Sequence, residues 1–431
     1  MGQSKQWSRL DNAAKIFPPT SSKRGTKVFR FVCELTGPVD GAVLQHALDK
    51  TVEVFPLYRS ILKKGLFWYY FEESSLQPEV LEESLPVCAP IYDPDRSGLL
   101  FRVSYYGKRI NLEVFHALAD GTGALHFMRT MVFVYLAEMY GITGRLPDDD
   151  IAPDQKGLDA FHKYYDKREN TLKAKRYRPF RIRGERLPDN RIGIIEGFLS
   201  VRAVLKKAHE HHATLSEFLV SVLICSIYDG MTVRERARPV VITVPVDLRR
   251  FFPAQTVRNF FGLIQVTHNF CQDGQEFEQV LAHVRKSFEQ QLTKEYLSGI
   301  ISRYSAMENN PWIKAIPLVI KIPILRLAGF CQDRGDTAAF SNVGRIAMPA
   351  EAAGTIRLFD VFLSAKRPQL CLCSFGDTLS VSVSSPLADT GFQRRFFRSL
   401  TDLGFSVQMV SNLEQIRRGE EFHAPMRPLW N

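Results

Sequence analysis

Residues 116–121 read His116-Ala117-Leu118-Ala119-Asp120-Gly121, directly after the β-prone run Asn111-Leu112-Glu113-Val114-Phe115. A strand that ends in histidine, with aspartate four positions on and glycine to let the chain turn, suits a general base held at a strand end. A His, an Asp and a Gly at such set positions arise by chance in roughly a few per cent of chains this long. The same residues also suit a purely structural turn, since a histidine among apolar neighbours is more often a core or turn residue. The string therefore needs support from elsewhere in the chain.

Support comes from the second half. Val244-Pro245-Val246-Asp247-Leu248-Arg249-Arg250-Phe251-Phe252-Pro253 leads into Asn259-Phe260-Phe261-Gly262, and Phe340-Ser341-Asn342-Val343-Gly344 follows later. In this order and at these separations, the stretches resemble the CoA-dependent acyltransferase superfamily with an HxxxDG motif. That superfamily includes chloramphenicol acetyltransferase, the plant BAHD enzymes and the condensation domains of nonribosomal peptide synthetases. The opening Leu10-Asp11-Asn12-Ala13-Ala14-Lys15-Ile16-Phe17-Pro18 and Phe55-Pro56-Leu57-Tyr58-Arg59 resemble its alcohol acetyltransferase branch. The resemblance spans about residues 10 to 410, and HxxxDG with PVDLR and SNVG is far more specific than HxxxDG alone.

The resemblance implies an α/β (α+β) fold of two chloramphenicol-acetyltransferase-like subdomains, mixed sheets flanked by helices, with an active-site tunnel between them. It implies His116 as general base, a role a neutral imidazole with pKa near 6.5 can fill. It implies a structural Asp120 that pairs with an arginine to hold the histidine loop, Arg249 being the expected partner and Arg59 the alternative. Gly121 is expected to free the turn and leave room for the acceptor. Ser341 and Asn342 are expected to orient the acyl carbonyl or its oxyanion, or else to form a turn; Asn259 is the weaker donor. Acyl-CoA would be a co-substrate, with no bound cofactor and no metal.

Departures narrow the reading. Condensation domains carry a second histidine just before the catalytic one, where this chain has Phe115. The BAHD signature DFGWG is reduced to the Phe-Gly of Ser374-Phe375-Gly376-Asp377. No GxSxG nucleophile motif occurs, which favours direct transfer in a ternary complex over an acyl-enzyme. The expectation is transfer to an alcohol, secondarily an amine. The alternatives are carrier-protein-dependent transfer in a polyketide or peptide pathway, and a catalytically inactive binding module.

At 431 residues the chain exceeds the usual size of a single core. The expected division is 1–150 as the subdomain with HxxxDG, 151–190 as a basic crossover, and 191–431 as the subdomain with PVDLR and SNVG. The composition, 45% hydrophobic and 24% charged, is that of a globular protein, and the 31 Phe mostly fill cores. A net charge of +10 favours anionic partners: CoA phosphates, an acidic acyl carrier protein or a membrane surface. Nucleic acid fits poorly, because no zinc-finger spacing, RNP-like strand or basic helix with heptads is present. The excess is concentrated at Lys163, Lys167, Arg168, Lys173, Lys175, Arg176, Arg178, Arg181 and Arg183, a docking surface or simply a solvated linker.

Seven dispersed cysteines without CxxC or Cys/His spacing suggest a reducing, cytoplasmic setting. The polar start Met1-Gly2-Gln3-Ser4-Lys5-Gln6-Trp7 has no apolar signal core, and Gln6 stands where myristoylation wants Ser or Thr. His209, His211 and His212 lack a carboxylate or cysteine companion and read as an exposed helix end rather than a metal site. Pro311 to Phe330 is the nearest approach to a membrane span, but Lys314, Lys321, Arg326, Pro317 and Pro323 break it into helical pieces expected to pack on the core.

Periodicity predicts strands over 27–35, 60–73, 99–106, 110–115, 240–246, 263–270, 340–346, 356–364, 369–375 and 378–384. It predicts helices over 40–54, 123–140, 214–228, 276–294 and 392–403. Thr214-Leu215-Ser216-Glu217 is a capping-box start.

Overall fold

The computed structural model describes residues 7–147, 158–166, 178–364, 366–418 and 427–428. Among these residues the strands form a five-stranded, an eight-stranded and a small three-stranded sheet, the two larger ones flanked by helices. This is the expected mixed α/β class.

The five-stranded sheet is ordered Ile356–Leu363, Val28–Leu35, Arg109–Phe115, Phe101–Tyr106, Val80–Glu82. Val28–Leu35 is buried at all eight positions, including the charged Arg30 and Glu34. Those charges are matched across the ladder: Arg30 opposes Glu113 and Glu34 opposes Arg109. Arg30 Nε donates to Glu113 at 3.0 Å and Arg109 Nε to Glu34 at 2.8 Å. A slip of one residue would put each buried charge on the wrong face, so these pairs fix the register that brings Phe115 to its end. The hairpin predicted over 99–115 turns at Gly107, with φ +55°, and Lys108.

The eight-stranded sheet is ordered Phe261–His268, Val240–Asp247, Ala338–Arg345, Gln369–Phe375, Thr378–Ser385, Gly193–Ser200, Gln408–Ser411, Arg427–Pro428. Ala338–Arg345 runs parallel to both of its neighbours, which makes this sheet mixed. The helix Leu215–Tyr228 packs on it and starts with both reciprocal bonds of the capping box between Thr214 and Glu217. Sequence order and sheet membership part company at Ile356–Leu363. This strand follows four strands of the larger sheet, yet it pairs antiparallel with Val28–Leu35. The two sheets are joined here by buried polar bonds: Ser382 donates to Asp360, and Arg109 Nη1 reaches Glu196 at 3.1 Å. Burial, then the neighbouring Glu196 charge, pushes the Asp360 carboxyl well above its usual range.

Several sequence expectations are corrected. The run 60–73 is a hairpin of Ser60–Lys64 and Tyr69–Glu73, turning at Gly65, whose N–H donates to Trp68 O at 3.0 Å. The helix expected over 276–294 stops at Gln291, and Thr293 caps a separate helix, Lys294–Asn309. Residues 311–330 do form broken helices, Pro311–Ala315 and Leu318–Gln332, but much of their apolar surface faces outward. Asp148, Asp149 and Asp150 and the basic residues Lys167, Arg168, Lys173, Lys175 and Arg176 lie outside the described residues. No single described helix is long and apolar enough to cross a membrane.

Candidate active site at His116

The strand Arg109–Phe115 ends immediately before His116, whose N–H donates to Lys27 O at 2.8 Å. Lys27 takes φ +58°, an uncommon conformation for a residue with a side chain, which marks the turn beside the histidine as locally strained. The imidazole lies flat on Phe17, ring centroids 4.5 Å apart, with Phe29 at 5.0 Å and Phe261 at 5.6 Å. Both halves of the chain and the N-terminal turn thus wall the ring. Burial, the largest influence, lowers its pKa below 6.5, against the opposing effects of the Asp120 charge, its own backbone carbonyl and Asn259. The ring is therefore neutral at pH 7.

Asn259 sets the tautomer. Its Nδ2 donates to Asp11 Oδ2 at 3.2 Å, which turns Oδ1 toward His116 Nδ1, also at 3.2 Å. An amide oxygen only accepts, so Nδ1 carries the proton and Nε2 keeps its lone pair. Asp11 is fully buried and also accepts Ala14 N–H at 2.7 Å. Burial raises its pKa to about 7, while the Arg258 charge opposes that shift. Sequence reading ranked Asn259 low and gave Asp11 no role. The only local cue was an aspartate three residues before the N–H it caps, in Asp11-Asn12-Ala13-Ala14.

Asp120 is the N-cap of the helix Gly121–Tyr140 and accepts Gly123 N–H at 2.9 Å. Its carboxylate also accepts Phe260 N–H at 2.8 Å and Arg249 Nη1 at 2.8 Å. The Arg249 guanidinium is saturated, since Nε donates to Thr256 O and the η nitrogens reach Asp247 and the carbonyl of Arg258. Arg59 makes no ion pair with Asp120 among the described residues. One buried carboxylate thus ties the histidine turn to the 247–260 loop.

Gly121 does not supply the turn freedom expected of it. It opens the helix without a left-handed φ, and a Cβ there would meet nothing within 4 Å. Gly123 is the glycine that packing requires, because a Cβ there would lie 1.8 Å from Val257 O.

Ser341 and Asn342 sit on Ala338–Arg345, at a bulge before Gly344, whose φ is +92°. Asn342 Oδ1 accepts Gly344 N–H at 2.8 Å and Nδ2 donates to Ser216 at 3.0 Å, which shapes the turn. Neither residue is hydrogen-bonded to His116. His211 pairs with Glu278 at 2.7 Å at its helix end. Elsewhere, His268, Asp273 and His283 bring one ligand atom each within 4.8 Å, a grouping the sequence does not suggest.

No family model matches the chain, and no curated protein does. Solved structures do. TRI3 trichothecene 15-O-acetyltransferase from Fusarium sporotrichioides superimposes with TM-score 0.61 at 10% identity, covering 93% of this chain and 95% of that one. The first condensation domain of the calcium-dependent antibiotic synthetase gives TM-score 0.61 at 16% identity, covering 99% and 100%. The chain has the acyltransferase and condensation-domain fold. F. graminearum TRI101, solved with coenzyme A and T-2 mycotoxin, also shares this fold, with TM-score 0.59 at 11% identity over 91% and 97%. At these identities the likeness concerns the fold, and the chemistry rests on the side chains of this chain.

Proposed function

We propose that the protein is an acyltransferase that moves an acyl group from acyl-CoA to an alcohol, with His116 as general base. The observation that carries this reading is the Asn259–His116 bond, which leaves a neutral imidazole with a free Nε2 in a fold that hosts acyl transfer. Nε2 takes the acceptor hydroxyl proton as the oxygen attacks the thioester carbonyl. The tetrahedral oxyanion then collapses, the C–S bond breaks, and the imidazolium returns the proton to the thiolate. Such base catalysis contributes typically about 10²–10⁴-fold.

Asp120 and Arg249 act as positioning residues: their pair fixes the turn that aims the imidazole. Ser341 is the better oxyanion donor of the two sequence candidates, because its hydroxyl has no partner among the described residues while Asn342 is engaged on both sides. The +10 charge supports a second donor, an acidic carrier protein bearing the acyl thioester, whose use would weaken as salt rises. The deciding assay follows thiol release from acyl-CoAs with a panel of alcohols and amines, beside His116→Ala. Acceptor-dependent release that disappears in the folded variant supports the reading. Release unaffected by the substitution removes His116 from the chemistry.

A further inference from the structure

The helix Leu318–Gln332 is amphipathic in the inverted sense, with its apolar face outward. Val319 is 79% exposed, Ile320 55%, Ile324 57% and Leu327 63%. Positions 320, 324 and 327 follow helical spacing and so form one stripe. Leu318 and Lys321 face inward, and Gly329 lies so close to Thr20 that a Cβ would come within 2.7 Å of it. The stripe continues onto neighbouring elements. Trp312 is 83% exposed, and Leu66, at 71%, crowns the hairpin turn at Gly65, where Leu66 O accepts Leu318 N–H at 2.8 Å. Lys321 pins the two together, its ammonium 3.9 Å from the Trp68 ring centroid and 3.1 Å from Phe67 O. A continuous apolar surface of this kind on a globular chain marks an interaction face.

Charge identifies the occupant. From Asn309 to Gln332 the sequence holds Lys314, Lys321 and Arg326 and no Asp or Glu. Lys314, Arg326 and Arg334 form no ion pair among the described residues, whereas the nearby Glu308 and Asp333 are already paired with Lys15 and Lys366. A two-fold contact with a second copy would bring together two stretches that carry cations and no carboxylate of their own. Apolar side chains with an interfacial Trp, rimmed by cations that hold no ion pair among the described residues, instead match a bilayer with anionic headgroups. We propose that this face, built from Leu318–Gln332, Trp312 and the Leu66 turn, is a peripheral docking surface for anionic membranes. It lies one packing layer from the site: Arg326 donates to Pro19 O at 3.1 Å, and the adjoining Phe17 stacks on His116.

The test is co-sedimentation with phosphatidylcholine vesicles, with and without phosphatidylglycerol, a readout independent of any acyl transfer. The full chain should partition onto the anionic vesicles and be released as salt rises. Ile320→Glu/Ile324→Glu/Leu327→Glu should lower partitioning by about tenfold or more, with an unchanged unfolding curve, since all three side chains are exposed. Lys314→Glu/Arg326→Glu should lose the preference for the anionic vesicles. Wild type that stays in the supernatant at every lipid composition overturns the proposal, as does a triple variant that binds like wild type. A vesicle-independent dimer that the triple variant dissociates would assign the face to a second copy and equally overturn it.

Discussion

Asp120 and Arg249 lie 129 residues apart in the chain and meet at 2.8 Å, both nearly buried, with the guanidinium saturated by further acceptors. Removing Arg249 leaves the buried Asp120 carboxylate without its counter-charge, and removing Asp120 strips Arg249 of one of its two carboxylates and leaves the Gly123 and Phe260 N–H groups without their acceptor. Asp120→Ala or Arg249→Ala should therefore cost about 3–5 kcal/mol in denaturant unfolding and lower activity with it. The double substitution should cost clearly less than the sum of the singles. Additive losses would show that the two residues act independently.

His116→Ala should behave differently. Among the described residues the ring caps no helix and holds no ion pair, so the variant should fold while turnover falls by about 10²–10⁴-fold. Because burial lowers the imidazole pKa, the acid limb of the wild-type pH–rate profile should lie below 6.5. Asn259 opposes that shift, so Asn259→Leu should move the limb to still lower pH and reduce the maximal rate. A limb at or above 6.5 in wild type would contradict the burial of the site.

The two glycines at the start of the helix Gly121–Tyr140 separate fold from site. Gly123→Ala drives a methyl into Val257 O and should destabilise by about 1–3 kcal/mol or more, seen as a lower unfolding midpoint. Gly121→Ala adds a methyl to open space and should leave that midpoint unchanged. If the acceptor uses the open space, KM for the acceptor should rise.

Asp11 couples stability to pH. Its carboxyl titrates at 3.8 unfolded and about 7 folded. A pKa raised by folding contributes stability that is fully present below the unfolded value and is lost as pH rises through about 7. Wild type should therefore lose denaturant resistance between about pH 4 and pH 7. Asp11→Asn keeps one acceptor oxygen, enough for Ala14 N–H but not also for Asn259 Nδ2, so it should cost stability overall yet flatten that loss. Equal slopes in the two proteins would mean that Asp11 is ionised throughout.

Local pattern and local chemistry determined much of this protein by sequence alone. Alternation marked the strands, the Thr214–Glu217 capping box marked a helix start, and the His116–Gly121 string marked the end of the strand Arg109–Phe115. Each of these signals lies within a few residues, which is the range over which backbone hydrogen bonds and caps act. Only the tertiary structure decided what depends on distant residues meeting. The strand Ile356–Leu363 joins the sheet of the other half with partners more than 300 residues away, a pairing that no local period encodes. Asn259 and Asp11 stand 248 positions apart, and only folding stacks them behind His116 to fix its tautomer. The outward apolar stripe of Leu318–Gln332 has the period of a core helix, and only packing shows which face was left without a neighbour.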